Sequence, residues 1–146
     1  MHRSLGRLTS AAVLLLTFMA GAALAETVTF DVPLSGQNQV PPVDTAGTGL
    51  LAAAFDTETR LLSWTITYEG LTGPPTAAHF HGPAELGVNA GVAIGLPGDL
   101  ASPMTGEVTL DEAQAGDLLG GLYYLNIHTG AFPAGEIRGQ LVRTAD

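Results

Sequence analysis

Leu61-Leu62-Ser63-Trp64-Thr65-Ile66-Thr67-Tyr68 alternates with period two. Leu62, Trp64, Ile66 and Tyr68 fall on one side, Ser63, Thr65 and Thr67 on the other. Successive strand side chains point to opposite faces, so this is a strand with one face in a core and one in water. Leu50 to Phe55 is a second apolar run, and Asp56-Thr57-Glu58-Thr59-Arg60 between the two is a short polar turn. The pair reads as a β-hairpin. Trp64, with its large apolar area, is expected to anchor the buried face.

The same reading extends in both directions. Thr27-Val28-Thr29-Phe30-Asp31-Val32 predicts a strand within Glu26 to Leu34, whereas Ser35 to Gly49, with Pro41-Pro42, predicts a loop or an edge. Gly70 to Thr76 breaks the chain before Ala77-Ala78-His79-Phe80-His81. Gly82 to Gly98 is glycine-rich around a short apolar piece, Val92-Ala93-Ile94, and Met104 to Leu110 is a further strand. Asp111 to Leu119 changes period and is the helix expected after residue 25, with Thr109 and Glu112 at capping-box spacing and Gly120-Gly121 as its stop. Leu122 to His128 and Glu136 to Val142 close the chain as strands. Short strands, Gly/Pro turns and one small helix predict an all-β sandwich or barrel.

Residues 1–25 read differently. His2, Arg3 and Arg7 make a basic start, Ala11 to Ala25 is almost wholly apolar, and Ala23-Leu24-Ala25 has the small-x-small form of a cleavage site. The run is shorter than the roughly 18–20 residues of a spanning helix. The expectation is a signal peptide at 1–25, cut before Glu26, and one exported domain at 26–146, periplasmic or extracellular, with no membrane span after cleavage. Export invites disulfides, yet the chain has no cysteine. Its stability is therefore expected from apolar burial and the sheet, with a bound metal as a further source. All 14 acidic residues follow Ala25, against three arginines and no lysine. Such a chain repels phosphate backbones and anionic membranes, which excludes nucleic acid as a partner.

Chemistry concentrates in His79, His81 and His128. Strand period puts His79 and His81 on one face and turns Phe80 into the core. His128 ends the run Tyr123-Tyr124-Leu125-Asn126-Ile127-His128. If the two strands are neighbours, three imidazoles converge, a donor set suited to copper or zinc with an open position. Candidates for a fourth ligand are Asp99, Glu85, Met104 or water. Tyr124 and Asn126 share the face of His128, so either can orient an imidazole. Glu136 and Arg138 alternate onto one face, which suggests an ion pair or support for His128. No serine nucleophile, phosphate cradle or regular calcium loop is visible, and no catalytic residue is assigned.

Three stretches carry a resemblance. Leu34-Ser35-Gly36-Gln37-Asn38-Gln39-Val40-Pro41-Pro42-Val43, Ala77-Ala78-His79-Phe80-His81-Gly82-Pro83-Ala84, and Tyr124-Leu125-Asn126-Ile127-His128-Thr129 followed by Pro133-Ala134-Gly135-Glu136-Ile137-Arg138-Gly139-Gln140-Leu141 closely resemble the CHRD domain. This module is named after chordin and is also found singly in exported bacterial proteins. Ala134 stands where the family more often has glycine. The resemblance implies an immunoglobulin-like Greek-key β-sandwich and no settled activity; in chordin the repeats belong to a secreted antagonist of growth-factor signalling. A weaker, fold-level likeness is to copper–zinc superoxide dismutase, whose order of ligands and arginine His79, His81, His128 and Arg138 match. Three readings stand: a metal-binding domain holding copper or zinc through the three histidines, an extracellular protein-interaction module with structural histidines, and a dismutase-like redox enzyme. The partners implied are a metal ion or another extracytoplasmic protein.

Overall fold

The computed structural model describes residues 25–143, so the signal segment expected over residues 1–25 lies, apart from Ala25, outside the described residues. The strands are β1 (Thr27–Ser35), β2 (Thr48–Asp56), β3 (Leu61–Glu69), β4 (Pro75–His81), β5 (Val92–Gly95), β6 (Met104–Thr109), β7 (Tyr124–Thr129) and β8 (Ile137–Gln140). A 3-10 turn at Gly36–Asn38 follows β1, and helix α1 (Glu112–Leu119) separates β6 from β7. All eight strands join one antiparallel sheet in the order β5-β4-β7-β8-β1-β2-β3-β6.

The hairpin forms as its alternation requires. β2 and β3 pair from Thr48↔Glu69 to Phe55↔Leu62. Asp56 Oδ1 accepts the amides of Glu58 (3.0 Å) and Thr59 (2.7 Å), which shapes the turn. Leu62, Trp64 and Ile66 are buried, together with Phe30 and Val32 of β1 and Leu51 and Phe55 of β2.

The sheet cannot be flat. Trp64 of β3 meets Phe80 of β4 edge to face at 5.3 Å, although four strands separate β3 from β4 along the sheet. The sheet therefore folds over, and β5-β4-β7-β8 faces β1-β2-β3-β6 across one core. The crease lies between β1 and β8, which share a single register pair, Ser35↔Arg138. Gly106 on β6 makes room for the tryptophan, since a Cβ there would lie 2.6 Å from the indole ring.

Helix α1 forms where its period was read, but its cap is different. Asp111, not Thr109, is the N-cap; its side chain accepts from the Gln114 amide at 2.8 Å, and Gln114 Oε1 accepts the Asp111 amide at 3.1 Å. Thr109 remains in β6, paired with Leu61, so it cannot also turn the chain. Leu118 carries the helix's apolar face into the core.

Burial along β7 and β8 decides where the site lies. Every residue of both strands is buried, so both faces of this part of the sheet are covered. One face meets the core through Leu125, Ile127 and Ile137. The other carries polar side chains, and loops lie over it.

Phe80 is fully buried and holds the two halves of the sheet together. Phe80→Ala is expected to cost about 3–5 kcal/mol, read as a lowered midpoint in guanidinium unfolding.

Candidate functional site

β4 and β7 are neighbours, with Ala77 opposite His128, His79 opposite Asn126 and His81 opposite Tyr124. Phe80, Leu125 and Ile127 point into the core, so His79, His81, Tyr124, Asn126 and His128 share the outer face. His128 is the diagonal neighbour of His79, within reach of a long side chain. Ring centroids are 5.1 Å apart for His79–His128, 5.5 Å for His79–His81 and 5.7 Å for His81–His128. One ring nitrogen of each lies within 4.8 Å of the others. Neither Asp99 nor Glu85 joins this cluster among the described residues, and Met104 sits in the core on edge strand β6.

Hydrogen bonds set the tautomers. His81 Nδ1 lies 3.0 Å from the Ala90 carbonyl and His128 Nδ1 lies 2.9 Å from the Pro133 carbonyl. A carbonyl only accepts, so each Nδ1 carries the proton and each Nε2 keeps a lone pair. His128 Nε2 accepts from His79 Nδ1 at 3.3 Å. His81 Nε2 is buried with no partner. Burial holds the His79 pKa below the ordinary histidine value, and neighbouring His128 lowers it further. Burial also lowers that of His81; the bond to Ala90 opposes the shift, while His128, His79 and Arg138 add to it. His81 and His128 thus each offer an Nε2 lone pair, as a transition-metal cation requires, while His79 would have to move its Nδ1 proton to offer one. Tetrahedral ligands about 2.0–2.1 Å from a metal stand about 3.3–3.4 Å apart. The 3.3 Å between His79 Nδ1 and His128 Nε2 matches that edge in length, and a metal there would displace the proton between them. The widest gap needs to close by roughly 1.5 Å from its 4.8 Å limit.

Tyr124 and Arg138 extend the cluster into a stack. The Tyr124 ring lies parallel to His81, 5.0 Å between centroids and 8° between planes. Its hydroxyl donates to the Ala90 carbonyl at 3.1 Å and accepts the Ala90 amide at 3.0 Å. The Arg138 guanidinium covers the other face of the ring at 3.4 Å, a cation–π contact. Tyr124 therefore positions His81, as its place on the strand suggests. Asn126 hydrogen-bonds no imidazole; it accepts from Gln39 Nε2 at 2.7 Å and donates to the Ala134 carbonyl at 3.2 Å.

The expected pairing of Glu136 with Arg138 is overturned. Arg138 donates to Asn89 Oδ1 and to the Val88 carbonyl, both at 2.8 Å. Glu136, fully buried, accepts from Thr45 Oγ1 (2.6 Å), Thr129 Oγ1 (2.6 Å), Thr72 Oγ1 (2.8 Å) and the Thr72 amide (3.0 Å). Burial pushes its pKa up, but these donors outweigh burial and leave it below the ordinary value. Satisfied by its own donors, the carboxylate needs no cation, and Arg138 is drawn to the tyrosine ring instead. Nor does Glu136 support His128, whose Nδ1 is taken by Pro133. Sequence reasoning missed Thr45, Thr72, Gln39 and Asn89, which act from loops, and the Ala90 and Pro133 carbonyls, which no side chain announces.

The lowered pKa values of His79 and His81 have a definite sign. Unfolded histidines take up protons as pH falls through about 6.5, before the folded ones do, so stability is full above that value and falls below it. Denaturation midpoints of the metal-free protein are expected to drop between pH 7 and pH 5. In the His79→Asn/His81→Asn variant that part of the slope should flatten, while an unchanged slope would place its origin elsewhere.

Two comparisons bear on this arrangement. The CHRD domain family matches residues 30–141, a span holding the three histidines, Tyr124, Glu136 and Arg138. Chordin of Xenopus laevis is 36% identical over 118 residues, covering 75% of this chain and 12% of that protein, so this chain spans a small part of its relative's length. No solved structure matches. Matched across nearly all of its sheet, the chain belongs to the CHRD domain family.

Proposed function

We propose that this chain is an exported CHRD-type interaction module, working in the periplasm or outside the cell, whose outer face takes copper or zinc through His79, His81 and His128. Residues 1–25 serve as its signal peptide. The folded-over sheet, four strands against four, fits the immunoglobulin-like Greek key of this reading. The family match supports the module. The metal rests on one observation: His81 Nε2 is buried without a partner, beside two other imidazoles, while its Nδ1–H is spent on Ala90. A lone pair left so costs about 1–3 kcal/mol unless something occupies it. Imidazole suits zinc and copper, and a ring whose second nitrogen donates to a carbonyl is oriented and made more basic. A metal held there would be a Lewis acid with positions left for an exchangeable ligand. The chain's part is to fix the rings through Ala90, Pro133 and Tyr124 and to shield them mostly from water.

A second reading is favoured by the His79–His128 hydrogen bond: the histidines pin the sheet to its loops, and the module needs no metal. A dismutase is not supported, since no comparison carries that likeness and no further histidine or carboxylate joins the cluster among the described residues.

Titration of the stripped protein with copper(II) and with zinc(II), followed by calorimetry, separates the readings. The proposal expects about one equivalent bound, weaker as pH falls and the rings protonate. Changing His79, His81 and His128 to alanine should abolish binding and leave the circular dichroism spectrum intact. No uptake by the parent, with a lowered melting temperature in the variant, would leave only the structural role.

A further inference from the structure

A groove of about 700 Å³ runs beside the crease between β1 and β8, on the outer face and past the Arg138 end of the stack. Arg138 and Gln140 of β8, Asp31 and Pro33 of β1, and the exposed Leu86 and Val142 line it. We propose that this groove seats an extended peptide segment of a partner protein, with one side-chain carboxylate directed to Arg138 and a backbone N–H to Gln140.

Arg138 is 2% exposed, and among the described residues no carboxylate lies within 4.0 Å of it. Its partners, Asn89, Val88 and the Tyr124 ring, are all neutral. This is not for want of acid, since the chain has 14 acidic residues. A buried guanidinium without a counter-charge is a waiting partner for a planar anion. Gln140 supplies an independent observation. Its Nε2 donates to the Ala84 carbonyl (2.9 Å) and the Gly121 carbonyl (2.8 Å), which fixes the amide orientation. Its Oε1 is then a buried acceptor with no partner in a residue only 9% exposed. The groove thus asks for an acceptor and a donor together, which a peptide bearing Asp or Glu offers. Leu86 and Val142 are 80% and 62% exposed, an apolar surface for the flanking side chains. Asp31 in the lining repels a second negative charge, so the fit is to a single carboxylate and not to a polyanion.

This inference rests on the interaction-module reading and not on the metal. It is tested on the metal-free protein with N-acetyl-Leu-Glu-Val-amide as probe, followed by NMR. Saturable shifts of Leu86, Gly87 and Val142 amides are expected, with binding about tenfold weaker for the Gln analogue. Leu86→Asp, an exposed change that leaves the fold intact, should weaken the Glu peptide by a similar factor without altering metal uptake. Equal binding of the two peptides, shifts outside the groove, or no saturation at millimolar peptide would overturn it. So would inorganic phosphate reproducing the same shifts at equal affinity, which would mark a plain anion hole. If metal uptake fails and the peptide still binds, the module stands and only its metal is lost.

Discussion

Strand β7 is enclosed on both faces, and most of what is distinctive in this molecule follows from that. Its inner face is satisfied by apolar contact. Its outer face carries Tyr124, Asn126 and His128, whose polar atoms must find partners once water is removed. Three loops supply them: Gln39 reaches Asn126, Ala90 receives both Tyr124 and His81, and Pro133 receives His128. The loops are tied to the strand beneath them by two backbone carbonyls and one side-chain amide.

The two charges near the crease are handled in opposite ways. Glu136 is solvated by neutral donors, four hydrogen bonds from three threonines, and so carries its charge inside without a counter-ion. Arg138 is spread over a tyrosine face and two carbonyl-type oxygens, with donors to spare. One site is closed and the other remains able to take a partner. Gly135, with φ +124°, leads directly into Glu136 and lies against Asn126, where a Cβ would run into the side chain.

Much of the fold was legible from local pattern. Alternation located β1 and β3, each with one wet and one dry face, while β2 showed as an apolar run across a polar turn and β6 as a further strand. The same period placed His79 and His81 together and turned Phe80 inward. The neighbourhood of β4 and β7, which brings His128 to them, lies 49 residues away in sequence and left no local mark. The cap of α1 was misplaced by two residues because both Thr109 and Asp111 can cap, and pairing with Leu61 removes the first from the choice. The ion pair assigned to Glu136 and Arg138 failed because shared facing is a necessary condition and not a sufficient one. What decided it was three threonines, Thr45, Thr72 and Thr129, the first and last 84 positions apart, and side-chain type alone does not reveal such a cage.

The Glu136 cage also bears on how a cysteine-free chain is kept closed. Its bonds join segments 91, 64 and 7 residues apart, a cross-linking task that small secreted domains commonly give to disulfides. This node is a non-covalent staple. Thiols cannot reduce it, no oxidant is needed to form it, and its only chemical key is a proton on the carboxylate, so the domain closes equally well on either side of a redox boundary.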